Sequence, residues 1–132
     1  MGAQPIGSRE RERRYSGFEA LIESADRAGM IAVFEDFALF AASNPEYAGV
    51  DPFTTDCLPG DYCGFVWIIT KGNTSFGRWA KRAKGWEKGY RGVRMFVSRF
   101  GMTMRRNEIY AEPFVGALNQ AGIEARCVSR ID

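Results

Sequence analysis

Residues 71–106 combine positive charge with aromatic rings in a pattern that suits nucleic acid. The segment contains eleven Lys and Arg, six aromatic residues and a single acidic residue, Glu87. Cations displace the counterions that condense on phosphates, and rings or guanidinium planes stack on exposed bases. The segment therefore predicts a small nucleic-acid-binding protein. The candidate contacts are Arg78, Lys81, Arg82, Lys84, Trp86, Lys88, Tyr90, Arg91 and Arg94.

The spacing of the aromatic residues separates core positions from stacking positions. Phe76 and Trp79 fall on one face of a predicted helix, away from the neighbouring cations, so Trp79 is expected in the core. Trp86 and Tyr90 lie in a glycine-rich passage, where backbone can approach a ligand closely, and they are the better candidates for stacking. The arginine-rich segment 9–14 would act as an auxiliary arm on the phosphates.

An acidic segment precedes the basic one and favours a different class of function. Residues 15–70 contain nine acidic residues and one base, and the predicted helix 30–42 is apolar on several sides. The alternative is a protein-binding module or inhibitor of the type that phages and mobile elements use, whose acidic face mimics nucleic acid and blocks a basic site on a partner protein. The same helix could support a homodimer. The candidate interface residues are Glu35, Asp36, Phe37, Phe40 and Asp51.

A third interpretation of the charges requires no partner. The net charge is only +2, so the acidic and basic segments could neutralise each other within one molecule. Exposed ion pairs of this kind contribute ~0–1 kcal/mol each. The spatial relation of the two segments decides between this interpretation and a charged partner.

The sequence gives catalysis little support. It contains no histidine, which removes the most common general base and metal ligand. The pairs Asp56/Asp61 and Glu108/Glu112 could hold a metal or act as acid and base, but no motif surrounds either pair. Residues 71–75 offer only generic anion binding, because the phosphate-loop pattern is missing. The sequence therefore favours a protein that is not an enzyme, with no metal and no cofactor.

Cysteine usage and hydropathy indicate the compartment. Three cysteines are too few for a disulfide scaffold and indicate free thiols, although Cys57 and Cys63 could pair under oxidising conditions. No segment has the apolar length that spans a membrane, and the N-terminus lacks the apolar core of a signal peptide. A cytoplasmic protein without membrane contact is the expectation.

Apolar periodicity predicts a single α+β domain, residues 15–132, behind a flexible charged tail, residues 1–14. A capping box at residues 16–19 would begin the first helix, and Gly29 would end it. A later helix is expected between Asn107 and Gly122, with Pro113 in its first turn or at a kink. The predicted order is two N-terminal helices followed by βαβαβ, a three-stranded sheet with helices packed on one face. The other predicted elements are helices 17–28, 30–42 and 75–84, strands 64–70, 92–100 and 123–131, and a long loop over 44–63.

Overall fold

The computed structural model describes residues 7–53, 57–58, 60–89 and 91–132. They form one small α+β domain with three α-helices and a four-stranded antiparallel sheet, which confirms the predicted class. In these ranges, no helix combines the length and the apolar character that crossing a membrane requires. The elements are α1 (Gly7–Ser43), a 3-10 turn (Pro45–Tyr47), β1 (Gly64–Thr70), α2 (Ser75–Ala83), β2 (Glu87–Gly89), β3 (Gly92–Phe96), α3 (Met104–Gln120) and β4 (Ala125–Ile131).

The sheet has one strand more than the sequence predicted, and its order is β2-β3-β1-β4. After α1 the chain follows a βαββαβ path, the split βαβ or ferredoxin-like topology. The prediction of βαβαβ was wrong because the glycine-rich passage supplies β2 and a tight hairpin, with Gly89 paired to Gly92. Arg91 and Gly92 have φ angles of 72° and 150°, and a side chain on Gly92 would collide with the Thr70 carbonyl oxygen.

A single long helix, α1, replaces the two N-terminal helices that the sequence predicted. It begins at Gly7, within the expected tail, and continues through the expected capping box to Ser43. Gly29 does not end a helix. It lies where α1 packs closely on α3, since a Cβ here would come within 2.6 Å of the ring and the carbonyl oxygen of Tyr110. This glycine therefore serves helix packing.

The helix α3 begins earlier than predicted, at Met104, and Pro113 lies in its interior. The carboxylate of Asp61, from the loop before β1, accepts the Thr103 hydroxyl and the backbone N–H of Arg105. A negative charge at this end complements the helix dipole and occupies an N–H group that has no partner inside the helix. Asp61 thus acts as a cap that the sequence did not reveal.

The hydrophobic core lies on one face of the sheet. Val66 and Ile68 of β1 are fully buried and join side chains from all three helices in one cluster. Side chains alternate between the two faces along a strand, so Phe65 and Trp67 point away from this cluster. Within the described residues, the helices pack on the Val66 side and leave the Phe65 side uncovered.

Candidate nucleic-acid interface

The structure divides the predicted basic surface between the two sides of the molecule. Arg78, Lys81 and Arg82 are exposed on α2. This helix packs into the helical layer through Phe76 and Trp79, and the spacing had correctly predicted the burial of Trp79. The α2 cations therefore lie on the helical side of the sheet. Lys84, directly after α2, is also exposed, and its Nζ lies 2.7 Å from a carboxylate of α1.

The structure removes Trp86 from the candidate stacking residues. Its side chain is only 4% exposed, and its ring makes an edge-to-face contact with Phe76 at a centroid distance of 5.6 Å. Burial leaves no ring face for a base. Tyr90, the other candidate, lies outside the described residues. Lys88 is exposed on β2, which forms one edge of the sheet.

Arg94 lies on the uncovered face, away from the α2 cations. It pairs with Ile69 across β1 and β3, and its guanidinium carbon is 5.1 Å from the centroid of the Trp67 ring. The aliphatic part of the Arg94 side chain passes over Gly89, where an added Cβ would lie 2.9 Å from Cδ of Arg94. Arg91 is exposed at the hairpin turn beside this face.

Three aromatic rings form a continuous cluster on the uncovered face. Phe65 and Trp67 come from β1, and Phe96 comes from β3 directly opposite Trp67. The centroid distances are 5.7 Å for Phe65–Trp67, 6.0 Å for Phe65–Phe96 and 5.9 Å for Trp67–Phe96. Phe96 is 43% exposed, and the other two rings are half-buried. A continuous aromatic patch at a protein surface is typical of a ligand-binding or macromolecular interaction site.

The edge strand β4 places two arginines beside the ring cluster. Arg130 pairs with Phe65, and Arg126 pairs with Ile69; directly paired residues point to the same side of a sheet. Both arginines are exposed. With Arg94 on the other side of β1, three guanidinium groups flank the rings. Glu87, opposite Arg94 on β2, adds one carboxylate near that edge.

Sequence reasoning missed most of this face. Residues 64–70 are predicted to be a strand because they form a continuous apolar run, and such a run does not distinguish one face of a strand from the other, so Phe65 and Trp67 are assigned no role. Arg126 and Arg130 fall within the predicted strand 123–131, but nothing in the sequence connects them to the basic segment. The sequence does contain one signal, because side chains at alternate positions of a strand point to the same face. Phe65 and Trp67 are two residues apart in β1, and Arg126 and Arg130 are four residues apart in β4, so each pair shares one face of its own strand. The pairing between the two strands is what unites them.

The acidic and basic segments pair in part within the molecule. Ion pairs that join them in the described part of the chain include Glu19–Lys84 at 2.7 Å, Asp26–Arg99 at 3.3 Å and Asp36–Arg105 at 3.0 Å. All of these pairs retain exposure to solvent, so each contributes up to ~1 kcal/mol. Among the described residues, no ion pair involves the three arginines of the uncovered face. Internal neutralisation therefore accounts for the flank of α1 and leaves this face positive.

The residues proposed for a protein interface are only partly accessible. Phe37 is buried, and Phe40 is half-buried against neighbouring rings. Asp36 pairs with an arginine of α3. Glu35 and Asp51 are exposed, and the Asp51 carboxylate accepts a backbone N–H two residues further on. The set therefore does not form one acidic surface.

An apolar groove of about 740 Å³ lies between the end of α1 and residues 47–53. Phe34, Val50 and Phe53 line it, and all three side chains are exposed. The groove provides apolar area for a partner. Nothing in the described part of the chain shows what covers it.

The paired carboxylates do not build a metal site in the part of the chain that the structure describes, where no group of three suitable side chains could hold an ion. Asp56 lies outside the described residues. Asp61 is engaged in capping α3, and Glu108 accepts a hydroxyl from β4 at 2.8 Å. Their hydrogen bonds give these carboxylates structural roles.

Cys57 and Cys63 are free thiols whose Sγ atoms lie 2.8 Å apart. The hydrogen bond to Cys63, followed by desolvation, raises the pKa of Cys57 to about 11. Because the thiolate is the nucleophile, Cys57 is a poor nucleophile at neutral pH. This thiol therefore gives no support to covalent catalysis.

Comparison of the chain with protein-family models, curated proteins and solved structures finds no match.

Proposed function

We propose that this protein binds single-stranded nucleic acid on the uncovered face of its sheet. The observation that carries the proposal is the cluster of Phe65, Trp67 and Phe96 with arginines on the strands to either side. Rings that lie on a sheet offer flat surfaces to successive bases, and flanking cations contact the phosphates between them. The binding surface differs from the one that the sequence suggested, which included the cations of α2.

The chemistry of the face favours a single strand over a duplex. Bases stack on protein rings only when they are unpaired and splayed out, whereas a duplex presents phosphates and groove edges. Four-stranded sheets with exposed aromatic residues on the central strands bind RNA in this way in RNA-recognition motifs. Here β1 and β3 are the two central strands, and they carry all three rings. This is a likeness of surface chemistry and topology.

The arginines fit the same ligand. Arg126 and Arg130 are exposed on β4, so their five-donor guanidinium groups can reach phosphate oxygens. Arg94 covers one face of Trp67, which orients that ring and adds charge close to the bases. A nucleobase on Phe96 would therefore lie between cations from two strands.

The test measures the affinity of fluorescein-labelled dT12 and U12 by anisotropy for the wild type and for Phe96→Ala. Stacking contributes ~1–3 kcal/mol per base, so loss of this ring should weaken binding at least about fivefold. Leu39→Ala is the control, because Leu39 is 74% exposed on α1 and distant in sequence from the sheet. It should bind like the wild type.

Two results would refute the proposal. The first is the absence of measurable binding of either oligonucleotide by the wild type at low salt. The second is equal weakening by Phe96→Ala and Leu39→Ala. In either case the competing hypothesis, a protein partner at the apolar groove beside Glu35, becomes the stronger one. Tighter binding of U12 than of dT12 would identify RNA as the preferred strand.

A further inference from the structure

Four arginines surround a second cavity, on the helical side of the molecule. Arg11 and Arg14 extend from α1, and Arg78 and Arg82 extend from α2. Each pair is spaced by three or four residues, so its members share one face of their helix. The cavity measures about 360 Å³, which corresponds to on the order of ten water molecules.

Hydrogen bonds hold two of the four guanidinium groups in place. Arg14 Nη1 donates to Ser75 Oγ at 3.0 Å, and Arg78 Nη1 donates to the carbonyl oxygen of Asn73 at 2.8 Å. A guanidinium has five N–H donors, so each anchored group retains donors for a ligand. Ser75 is the first residue of α2, whose N-terminus adds partial positive charge beside the cavity.

Packing beneath the cavity keeps the two helices together. Phe18 of α1 contacts the rings of Phe76 and Trp79 at centroid distances of 5.3 and 5.4 Å. Tyr15, one turn earlier, lines the cavity and contacts Phe18. The arginines of α1 are therefore positioned against those of α2 by an aromatic contact that does not depend on charge.

The cavity concentrates positive charge without a counter-charge of its own. No acidic residue lines it, and within the described part of the chain none of its four arginines makes an ion pair with a carboxylate. Glu10 and Glu12 are near in sequence but do not line the cavity. Four like charges around one space repel one another, and a bound polyanion would relieve that repulsion while forming bidentate hydrogen bonds.

We infer that this cavity is a binding site for a condensed phosphate chain, in which two or more phosphates are linked. A nucleic-acid backbone spaces single charges along an extended strand, whereas this cavity directs four cations at one small volume. Linked phosphates provide several charges within that volume. The cavity is separate from the proposed nucleic-acid surface, because α2 lies in the helical layer and the ring cluster lies on the other face of the sheet.

The experiment titrates inorganic tripolyphosphate and orthophosphate into the intact protein by calorimetry at constant ionic strength. Tripolyphosphate should bind at least about tenfold more tightly than orthophosphate. The double variant Arg11→Gln/Arg82→Gln should weaken tripolyphosphate binding at least about tenfold. These two arginines are chosen because Arg14 and Arg78 hold neighbouring groups, so that their loss could disturb the fold.

Lys81→Gln is the matched control, since Lys81 is an exposed cation of α2 that does not line the cavity. It should bind tripolyphosphate within about twofold of the wild type. Equal affinity for the two anions, or equal loss in Lys81→Gln and in the double variant, would overturn the inference. If the double variant proves unfolded by circular dichroism, Arg82→Lys replaces it and should retain partial affinity. An unchanged affinity in Arg82→Lys would likewise count against the inference, because lysine cannot form the bidentate contact.

Two further arms separate this site from the proposed function and identify the source of the phosphates. Phe96→Ala should leave tripolyphosphate affinity unchanged, and Arg11→Gln/Arg82→Gln should leave dT12 affinity unchanged. Either inference can therefore fail without the other. Competition by ATP at the affinity of tripolyphosphate would indicate that a nucleotide is the source, and weaker competition would indicate a free polyphosphate.

Discussion

Tyr110 of α3 connects α1 to the core, because its ring is buried and its hydroxyl is hydrogen-bonded to a carboxylate of α1. The side chain is 3% exposed, and its hydroxyl donates to the Asp26 carboxylate. Burial, then this hydrogen bond, raises the pKa of Tyr110 well above its usual range. The folded state therefore favours the protonated phenol.

Tyr110→Phe should lower the free energy of unfolding by about 1 kcal/mol at pH 7, the usual net value of one hydrogen bond. The raised pKa stabilises the folded wild type fully below about pH 10, where a tyrosine in the unfolded chain begins to ionise, and this stability is lost as the pH rises further. The difference between variant and wild type should therefore shrink above pH 10. Urea unfolding at pH 7 and at pH 10.5 measures both values; a constant difference would contradict the assignment.

The sequence predicted individual side chains correctly where helical spacing alone determined their burial, as for Trp79. It misassigned Trp86, because nothing local distinguishes a ring that packs on Phe76 from one that faces solvent. It missed Phe65 and Trp67, because a continuous apolar run does not show which of its alternating side chains face the helices. The predicted layer of helices on one face leaves the other face open, but only the structure shows that Phe65 and Trp67 lie on the open face.

At the scale of the element, α1 contains a glycine that fits the pattern of a helix C-terminus and yet lies inside the helix. Gly29 follows an amphipathic stretch and matches a C-terminal stop, yet the helix continues because α3 packs against this position. Gly85, by contrast, follows α2 as predicted, with a φ angle of 71°. Local sequence identifies a glycine that the backbone conformation requires, but it does not identify one that an approaching helix requires. The two-helix prediction failed for this reason.

Two glycine-to-alanine changes in α1 test this explanation. Gly29→Ala places a Cβ within 2.6 Å of the Tyr110 carbonyl oxygen and should destabilise the protein by about 1–3 kcal/mol, the range for an overpacked core. Gly17→Ala meets nothing within 4 Å and should stabilise the helix by up to ~1 kcal/mol. Chemical denaturation of both variants measures whether each change raises or lowers the free energy of unfolding. Stabilisation by both changes would mean that α1 and α3 do not pack closely at Gly29.

At the scale of the whole molecule, the predicted contrast between an acidic first half and a basic centre proved too coarse. The ion pairs from α1 to Lys84, Arg99 and Arg105 neutralise one flank. Among the other arginines, Arg94, Arg126 and Arg130 lie on the uncovered sheet face, and a second group lines the cavity between α1 and α2. The α+β class followed from the order of apolar periods along the chain. The distribution of charge could not be predicted from that order, because β4 brings Arg126 and Arg130 beside the aromatic rings of β1 and β3, which are distant from them in sequence.

The salt dependence of oligonucleotide binding tests that distribution, since it counts the phosphates that the protein neutralises. For single strands, the slope of log affinity against log salt is about −0.7 for each phosphate contact. Arg94, Arg126 and Arg130 together predict a slope of roughly −2 for dT12. Arg126→Gln/Arg130→Gln should reduce it to roughly −0.7, whereas the α2 control Lys81→Gln should leave it unchanged. A wild-type slope near −5, sensitive to Lys81→Gln, would mean that the strand also contacts α2, and the sheet face alone would then not be the binding surface. The net charge of +2 predicts none of these slopes, because only the cations within reach of the strand release counterions.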